Sequence, residues 1–189
     1  MNDVDQYILN AIKVQVWSGF DSYEDIQELI SDLLEDGADE RMLRDSVDIE
    51  FNEKYKAEQS WPDITDVDKL DQVFQILNSN GILCLHNAGY TMSDGHEDAH
   101  TALSKHANGQ FFGYCFYHGQ DVERAFIGEG LTLAYDHIAG DVPDKIKVAT
   151  KIQQALEQAG FSLEWNGTVE ERIRLPNFDW KHRSTIVSK

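Results

Sequence analysis

Apolar residues in this chain recur at two different spacings, and the change between them near residue 80 limits what it can fold into. Up to about residue 78 the spacing is three and four. Val4, Ile8, Ala11, Ile12 and Val16 form one stripe, and Ile26, Leu29, Ile30, Leu33 and Leu34 a second, the period of helices with one buried face. Ser22 followed by Asp25 is a capping arrangement, and Gly37 closes the second helix. Asp39 caps a third helix running to about residue 56, with Met42, Leu43, Val47, Phe51 and Tyr55 inward. Trp61-Pro62 breaks it. A fourth helix, about 66–78, carries Leu70, Val73, Phe74 and Leu77, and Asn80-Gly81 ends it.

Past residue 80 short β-prone runs alternate with helical stretches. Residues 82–86, 111–118, 131–136, 161–165 and 172–175 read as strands, the last two as a hairpin around Asn166-Gly167-Thr168. Residues 94–107 and 121–126 read as helices, as does a longer segment from Pro143 to about residue 159. The order is four helices, then β-α-β-α-β-α-β-β. The expected class is α+β: an N-terminal helical layer followed by a mixed sheet of about five strands packed with helices. Residues 1–64 are expected as an acidic helical segment packed on the core and 65–189 as an αβ domain, together one globular unit.

Charge follows the same division. The 189 residues hold 34 Asp+Glu against 16 Lys+Arg, a net charge of −18. Residues 1–70 contribute 19 acids and 6 bases, the remainder 15 and 10. Such a chain is a poor binder of nucleic-acid backbone, which needs a basic surface. No apolar run is long enough to span a bilayer. The opening MNDVDQYI has neither the basic nor the apolar part of a secretory signal, so the expected location is cytoplasmic. Cys84 and Cys115 both fall in apolar runs, match no CxxC spacing, and read as buried thiols.

Chemistry-bearing residues concentrate in three segments. The first, His86 to His100, leaves a strand and enters a helix, where α/β proteins place sites. Within it His96-Glu97-Asp98-Ala99-His100 matches H-E-x-x-H. On a helix the two histidines share a face and could ligate zinc, with Glu97 as general base and His106 as a third ligand. Against this, Asp94 and Glu97 read as a capping box that puts the motif on the first helical turn, and Asp98 sets a charge between the ligands. Leu103 also stands where a turn-forming glycine would carry the chain back to His106. The plainer reading is a capped helix with His96 and His100 facing solvent. The second segment, Tyr117 to Arg124, is another strand-to-helix junction. There Asp121 can cap the helix with Arg124 one turn on, and His118 completes a polar group. The third, Phe178 to Arg183, reads as a closing segment with Phe178 and Trp180 in the core, or with Arg183 as an anion clamp.

The runs HNAGYTMSDGHEDAH, GYCFYHGQDVERA with GEGLTLAYD, and GFSLEWNGTVEERIRLPNFDWKHR together resemble a bacterial protein family known only as a domain of unknown function. The resemblance covers about residues 65–187. It rests on Gly89, Tyr90, Thr91, Ser93, Asp94 and Gly95; on Phe116, Tyr117, His118, Gln120 and Asp121; and on Asp179, Trp180 and Arg183. It implies no activity, substrate or cofactor, and it does not require His96 or His100.

The expected function is therefore a binding or interaction protein without a cofactor. A small polar pocket at the strand ends would be built from His86, Tyr90, Ser93, Asp94, His118, Asp121, Arg124 and Arg183. Its partner would be a small molecule there or a basic protein on the acidic helical face. The alternative is a hydrolase, either zinc-dependent through His96, His100 and His106 with Glu97, or metal-free with His118 as acid–base.

Overall fold

A computed structural model describes residues 2–184, which fall into two compact units. The first is Met1–Thr65 with the C-terminal residues from Lys181; the second is Asp66–Trp180.

The first unit is built from α1 (Asp3–Ser18), α2 (Tyr23–Leu33) and α3 (Glu40–Glu58). Its core is the stripe Ile8, Ile12 and Val16 against Ile26, Ile30, Leu43 and Val47. Each helix starts on a side-chain cap: Asn2 with Asp5, Ser22 with Asp25, and Asp39 to the Met42 amide. The inner face of α3 differs from expectation. Tyr55 is exposed and Lys54 is fully buried. From Leu43 and Val47 the helical period reaches position 54 rather than 55, and the long lysine stem lets Nζ donate to Val16 O at 3.0 Å. Residues 181–184 complete this unit. His182 Nδ1 donates to Ser18 O at 2.8 Å, Arg183 Nη2 to Pro62 O at 2.6 Å, and Ser184 N to Glu58 Oε1 at 2.9 Å.

In the second unit α4 (Asp66–Ser79) leads to β1 (Ile82–Leu85), α5 (Met92–Ser104), β2 (Gly113–Phe116) and α6 (Gly119–Phe126). Then come β3 (Leu131–His137), α7 (Val142–Gln158) and β4 (Ile173–Leu175). The sheet order is β1-β2-β3-β4, with β1 and β2 parallel and the other two pairs antiparallel. This is a mixed sheet in an α+β chain. On one face Phe74 of α4 lies by Tyr117, and Val148 of α7 crowds Gly113. On the other, α5 covers Tyr114 and Phe116, its Gly95 lying against the Phe116 ring.

Among the described residues the sheet has four strands, not the expected five. Residues 161–165 contribute one bridge, Glu164 to Arg174. Next to it Trp165 Nε1 donates to Tyr135 Oη and to Thr168 O, and Asn166 Oδ1 accepts from the Thr168 amide. The chain therefore turns on itself instead of extending a ladder. No helix among the described residues is long and apolar enough to cross a membrane.

Candidate functional site

The site lies where the parallel strands end. β1 and β2 are in register from Ile82 opposite Gly113 to Leu85 opposite Phe116. Pairing continues past both strands: Ala88 N donates to Tyr117 O at 2.8 Å and Gly119 N to Gly89 O at 2.9 Å. These two bonds depart from the strand register, and Asn87 leaves the extended conformation between them. Side chains alternate along a strand, so His86 and Tyr117, one residue past each strand, lie together on the α4 face. His86 accordingly hydrogen-bonds Tyr117 Oη through Nδ1 at 2.8 Å, lies over Phe74, and has Nε2 3.4 Å from Asp71. It belongs to the α4 side and is separated from His118.

His118 precedes the first turn of α6 and Asp121 is its third residue. The Asp121 side chain is fully buried and is surrounded by donors. Arg124 Nη2 reaches Oδ1 at 2.6 Å. Arg172 Nη1 reaches Oδ1 at 3.1 Å and Oδ2 at 3.0 Å, and the His118 amide reaches Oδ2 at 3.2 Å. Two guanidiniums on one carboxylate meet the requirement that a buried charge be paired and hydrogen-bonded. The His118 ring is also buried, with Nε2 3.2 Å from Asp121 Oδ2 and 3.4 Å from Arg172 Nη1. Burial pushes its pKa below the ordinary 6.5. Asp121 opposes that shift, and Arg172 and Arg124 reinforce it.

Two polar atoms here lack partners. His118 Nδ1 and Asn87 Oδ1 are the buried side-chain N and O atoms without a hydrogen bond among the described residues. Asn87 is also the one non-glycine with positive φ among the described residues, at 47°, a left-handed conformation that asparagine tolerates better than most residues. Buried polar groups are normally satisfied, so each exception asks for an explanation.

Around this pair the other expected residues are placed as follows. Asp94 completes the capping box of α5 from its third position: Thr91 N donates to its Oδ2 at 2.9 Å and its own amide donates to Thr91 Oγ1 at 3.4 Å. These bonds, with a smaller contribution from His118, hold the Asp94 carboxyl below the usual range. Ser93 is exposed on the same turn. Tyr90 donates to Glu123 at 3.0 Å, and its ring lies against Gly119. Arg183 belongs to the first unit, with its guanidinium 6.0 Å from the Trp61 ring. Arg172 went unnoticed in the sequence. It lies 51 residues beyond Asp121, just before β4, with no local pattern to mark it.

The H-E-x-x-H segment is placed differently from expectation. The capping box is Thr91 with Asp94, not Asp94 with Glu97. Thr91 is still extended at φ −109° and ψ 170°, whereas Asp94 is already helical. His96 and His100 therefore sit on later turns. His96 does not face solvent: it is half-buried, with Nδ1 2.9 Å from Tyr114 Oη and its edge toward Phe116. Burial lowers its pKa below 6.5. His100 and Glu97 are exposed, the His100 ring edge lying 5.5 Å from Tyr114. α5 stops at Ser104, short of residue 107, and His106 lies past its end by Phe111. Among the described residues no group of three or more His, Cys, Asp or Glu converges in a way that could hold a metal ion.

Open hollows on this unit lie elsewhere. One of about 220 Å³ is lined by Lys69, Gln72, Ile76 and Ala155, and one of about 350 Å³ by Phe126, Pro176 and Trp180. At the strand-end site Arg124 and Arg172 are partly exposed. No curated protein and no solved structure matches this chain. A family model does match, over residues 1–184, and so takes in the helical first unit as well as the segments that carry the resemblance. The chain belongs to the family described as a domain of unknown function, DUF6891.

Proposed function

We propose that the second unit is a binding module that takes a small polar molecule at the carboxyl ends of β1 and β2. The observation that carries this reading is that two buried side-chain atoms in the segments leaving these strands, Asn87 Oδ1 and His118 Nδ1, lack hydrogen-bond partners. Each costs about 1–3 kcal/mol if left unmet. His118 is also fixed beside the buried Asp121–Arg124–Arg172 group, the character of a preorganised recognition site. A hydrolytic role for His118 has less support, because Asp121 is already engaged by two guanidiniums. The zinc reading has less support too, because no group of three or more His, Cys, Asp or Glu converges around His96 and His100 among the described residues.

Thermal unfolding of the wild-type chain and of Asn87→Gly against a panel of small polar metabolites tests this. Glycine adopts a φ of 47° freely and deletes only the acceptor. A ligand of the site raises the wild-type midpoint and leaves the variant unmoved; at a hundredfold its Kd the gain is about 2.7 kcal/mol. Equal shifts in both proteins, or none in either, end the reading.

The acidity of the first unit supports a separate reading as a face for a basic protein. Tyr7, Ile49 and Tyr55 are exposed among its acids. A low-salt pull-down that is unchanged when several of those acids become Asn or Gln counts against it.

A further inference from the structure

Where lysines and arginines of the second unit pair with acids, they do so one to one, with a single exception among the described residues. Lys69 pairs with Asp66, Lys145 with Asp136, Lys147 with Asp144 and Arg174 with Glu164. Arg124 and Arg172 instead share Asp121. That carboxylate is well supplied without the second of them. Oδ1 takes the 2.6 Å bond from Arg124, Oδ2 accepts from the His118 amide, and His118 Nε2 stands 3.2 Å from Oδ2. Arg172 also reaches Oδ1, so two positive charges stand within two hydrogen-bond lengths of each other. Like charges held that close repel, and neutralising Asp121 alone needs only one. The group carries one surplus positive charge, in a chain of net charge −18.

Neither guanidinium is fully engaged. Arg172 bonds through Nη1 alone and Arg124 through Nη2 alone. The Nε–Nη2 edge of Arg172 is the parallel pair of N–H groups that grips an oxyanion bidentately. It has no partner among the described residues, and neither have Nε and Nη1 of Arg124. The nearest acids leave these donors open. Asp94 is bonded to Thr91 and Glu123 to Tyr90, while Glu170 and Glu171, next to Arg172 in the chain, form no ion pair with it. Both arginine side chains keep a share of their surface in solvent, 40% for Arg124 and 29% for Arg172.

We infer that Arg124 and Arg172 form a subsite for a carboxylate, with the buried Asp121 holding the two guanidiniums together. The carboxylate belongs to the ligand of the binding role proposed above, on which this assignment rests. Its planar pair of oxygens matches the free edge of Arg172. Its single charge cancels the surplus, whereas a phosphate dianion leaves excess negative charge in an already acidic chain.

The test is NMR of the full chain, reading the Nε–H signals of Arg124 and Arg172. Acetate, inorganic phosphate and acetamide are titrated against chloride at constant ionic strength. Acetate is expected to move both signals saturably at millimolar concentration, and acetamide and chloride to leave them in place. Arg172→Lys keeps the charge and removes the fork; it should weaken acetate binding at least fivefold, read on the Arg124 signal. Arg124→Gln removes the surplus charge and should weaken binding as much, read on Arg172. Each variant leaves Asp121 a cation, and either decides if the other fails to fold. Acetate affinity equal in wild type and variants means an adventitious ion only and ends the assignment. Saturable binding of phosphate or acetamide without acetate overturns the carboxylate and leaves a binding site. If no probe moves either signal while Asn87→Gly still abolishes a metabolite's thermal shift, the subsite falls and the binding role stands. If that thermal shift is absent as well, both fall.

Discussion

A buried lysine is an uncommon residue to find in the core of a small helical unit. The Lys54 side chain has no exposed surface, and its pKa falls from 10.5 to about 8, with burial lowering it and Glu58 opposing. Because the folded pKa is depressed, the unfolded chain binds the extra proton between about pH 8 and the unfolded value, so stability rises with pH across that interval. At neutral pH the charge is a cost. Lys54→Met, which keeps the stem and drops the ammonium, is expected to raise stability by about 1 kcal/mol, read as the urea midpoint near pH 7. Histidine gives the matching effect on the acid side. His96 and His118 both have pKa values held below 6.5 by burial. Their stabilising contribution is complete above that value and is lost as pH falls below it. The urea midpoint should drop between about pH 7.5 and about pH 5.5, and the drop should shrink in His118→Gln. Asp121→Ala removes the acceptor shared by two guanidiniums, both partly exposed and able to find water. The expected loss is about 2 kcal/mol by urea unfolding, below the full cost of a stranded buried ion. His118, Asp121 and Arg124 were legible because one strand-to-helix junction holds all three. Arg172 was not, since only the β3–β4 pairing brings it back to α6. Lys54 was not legible either, because the apolar stripe of α3 leads to Tyr55 and passes over the lysine beside it.

At the scale of elements, the alternation of helix and strand could be read almost throughout, because turn residues mark each change: Gly37, Asn80-Gly81, and the Gly128-Glu129-Gly130 run that precedes β3. Strand direction could not. A parallel β1–β2 pair and an antiparallel β2–β3 pair need the same apolar runs and differ only in what the connections allow. The fifth strand failed for a reason that hydropathy does not carry, the hydrogen bonds of Trp165 and Asn166 that fold residues 165–168 inward. The cap of α5 was misplaced by three residues because Asp94 suits either the cap or the third position of a capping box, and Thr91 decides it. That choice turns Gly95 toward the sheet. A Cβ there would overlap the Phe116 ring. Gly95→Ala should therefore destabilise by about 1–3 kcal/mol, although alanine is the better helix former by about 1 kcal/mol. Retention of the wild-type thermal midpoint by that variant would show that α5 can lift from β2.

On the scale of the whole molecule, the first unit is discontinuous. Its three helices come from the beginning of the chain and its closing residues from 181–184, joined by His182 to Ser18, Arg183 to Pro62 and Ser184 to Glu58. A chain ending at Trp180 should lose amide-exchange protection in the last turns of α1 and α3 while the sheet stays protected. Unchanged protection in α1 and α3 would mean that these bonds add nothing. Charge works at the same scale. With 19 acids and 6 bases in residues 1–70, self-repulsion opposes the first unit more than the second. Adding salt to physiological strength, where the Debye length falls to about 8 Å, should raise its midpoint selectively. The discontinuity also orders events during synthesis. The ribosome makes residues 181–184 only after all of Asp66–Trp180, at about 5–20 residues per second. The sheet can close while the helices that emerged before it still await their final contacts. The unit that starts first is the one completed last, and for those seconds its buried lysine and the ends of its helices are within reach of chaperones and proteases.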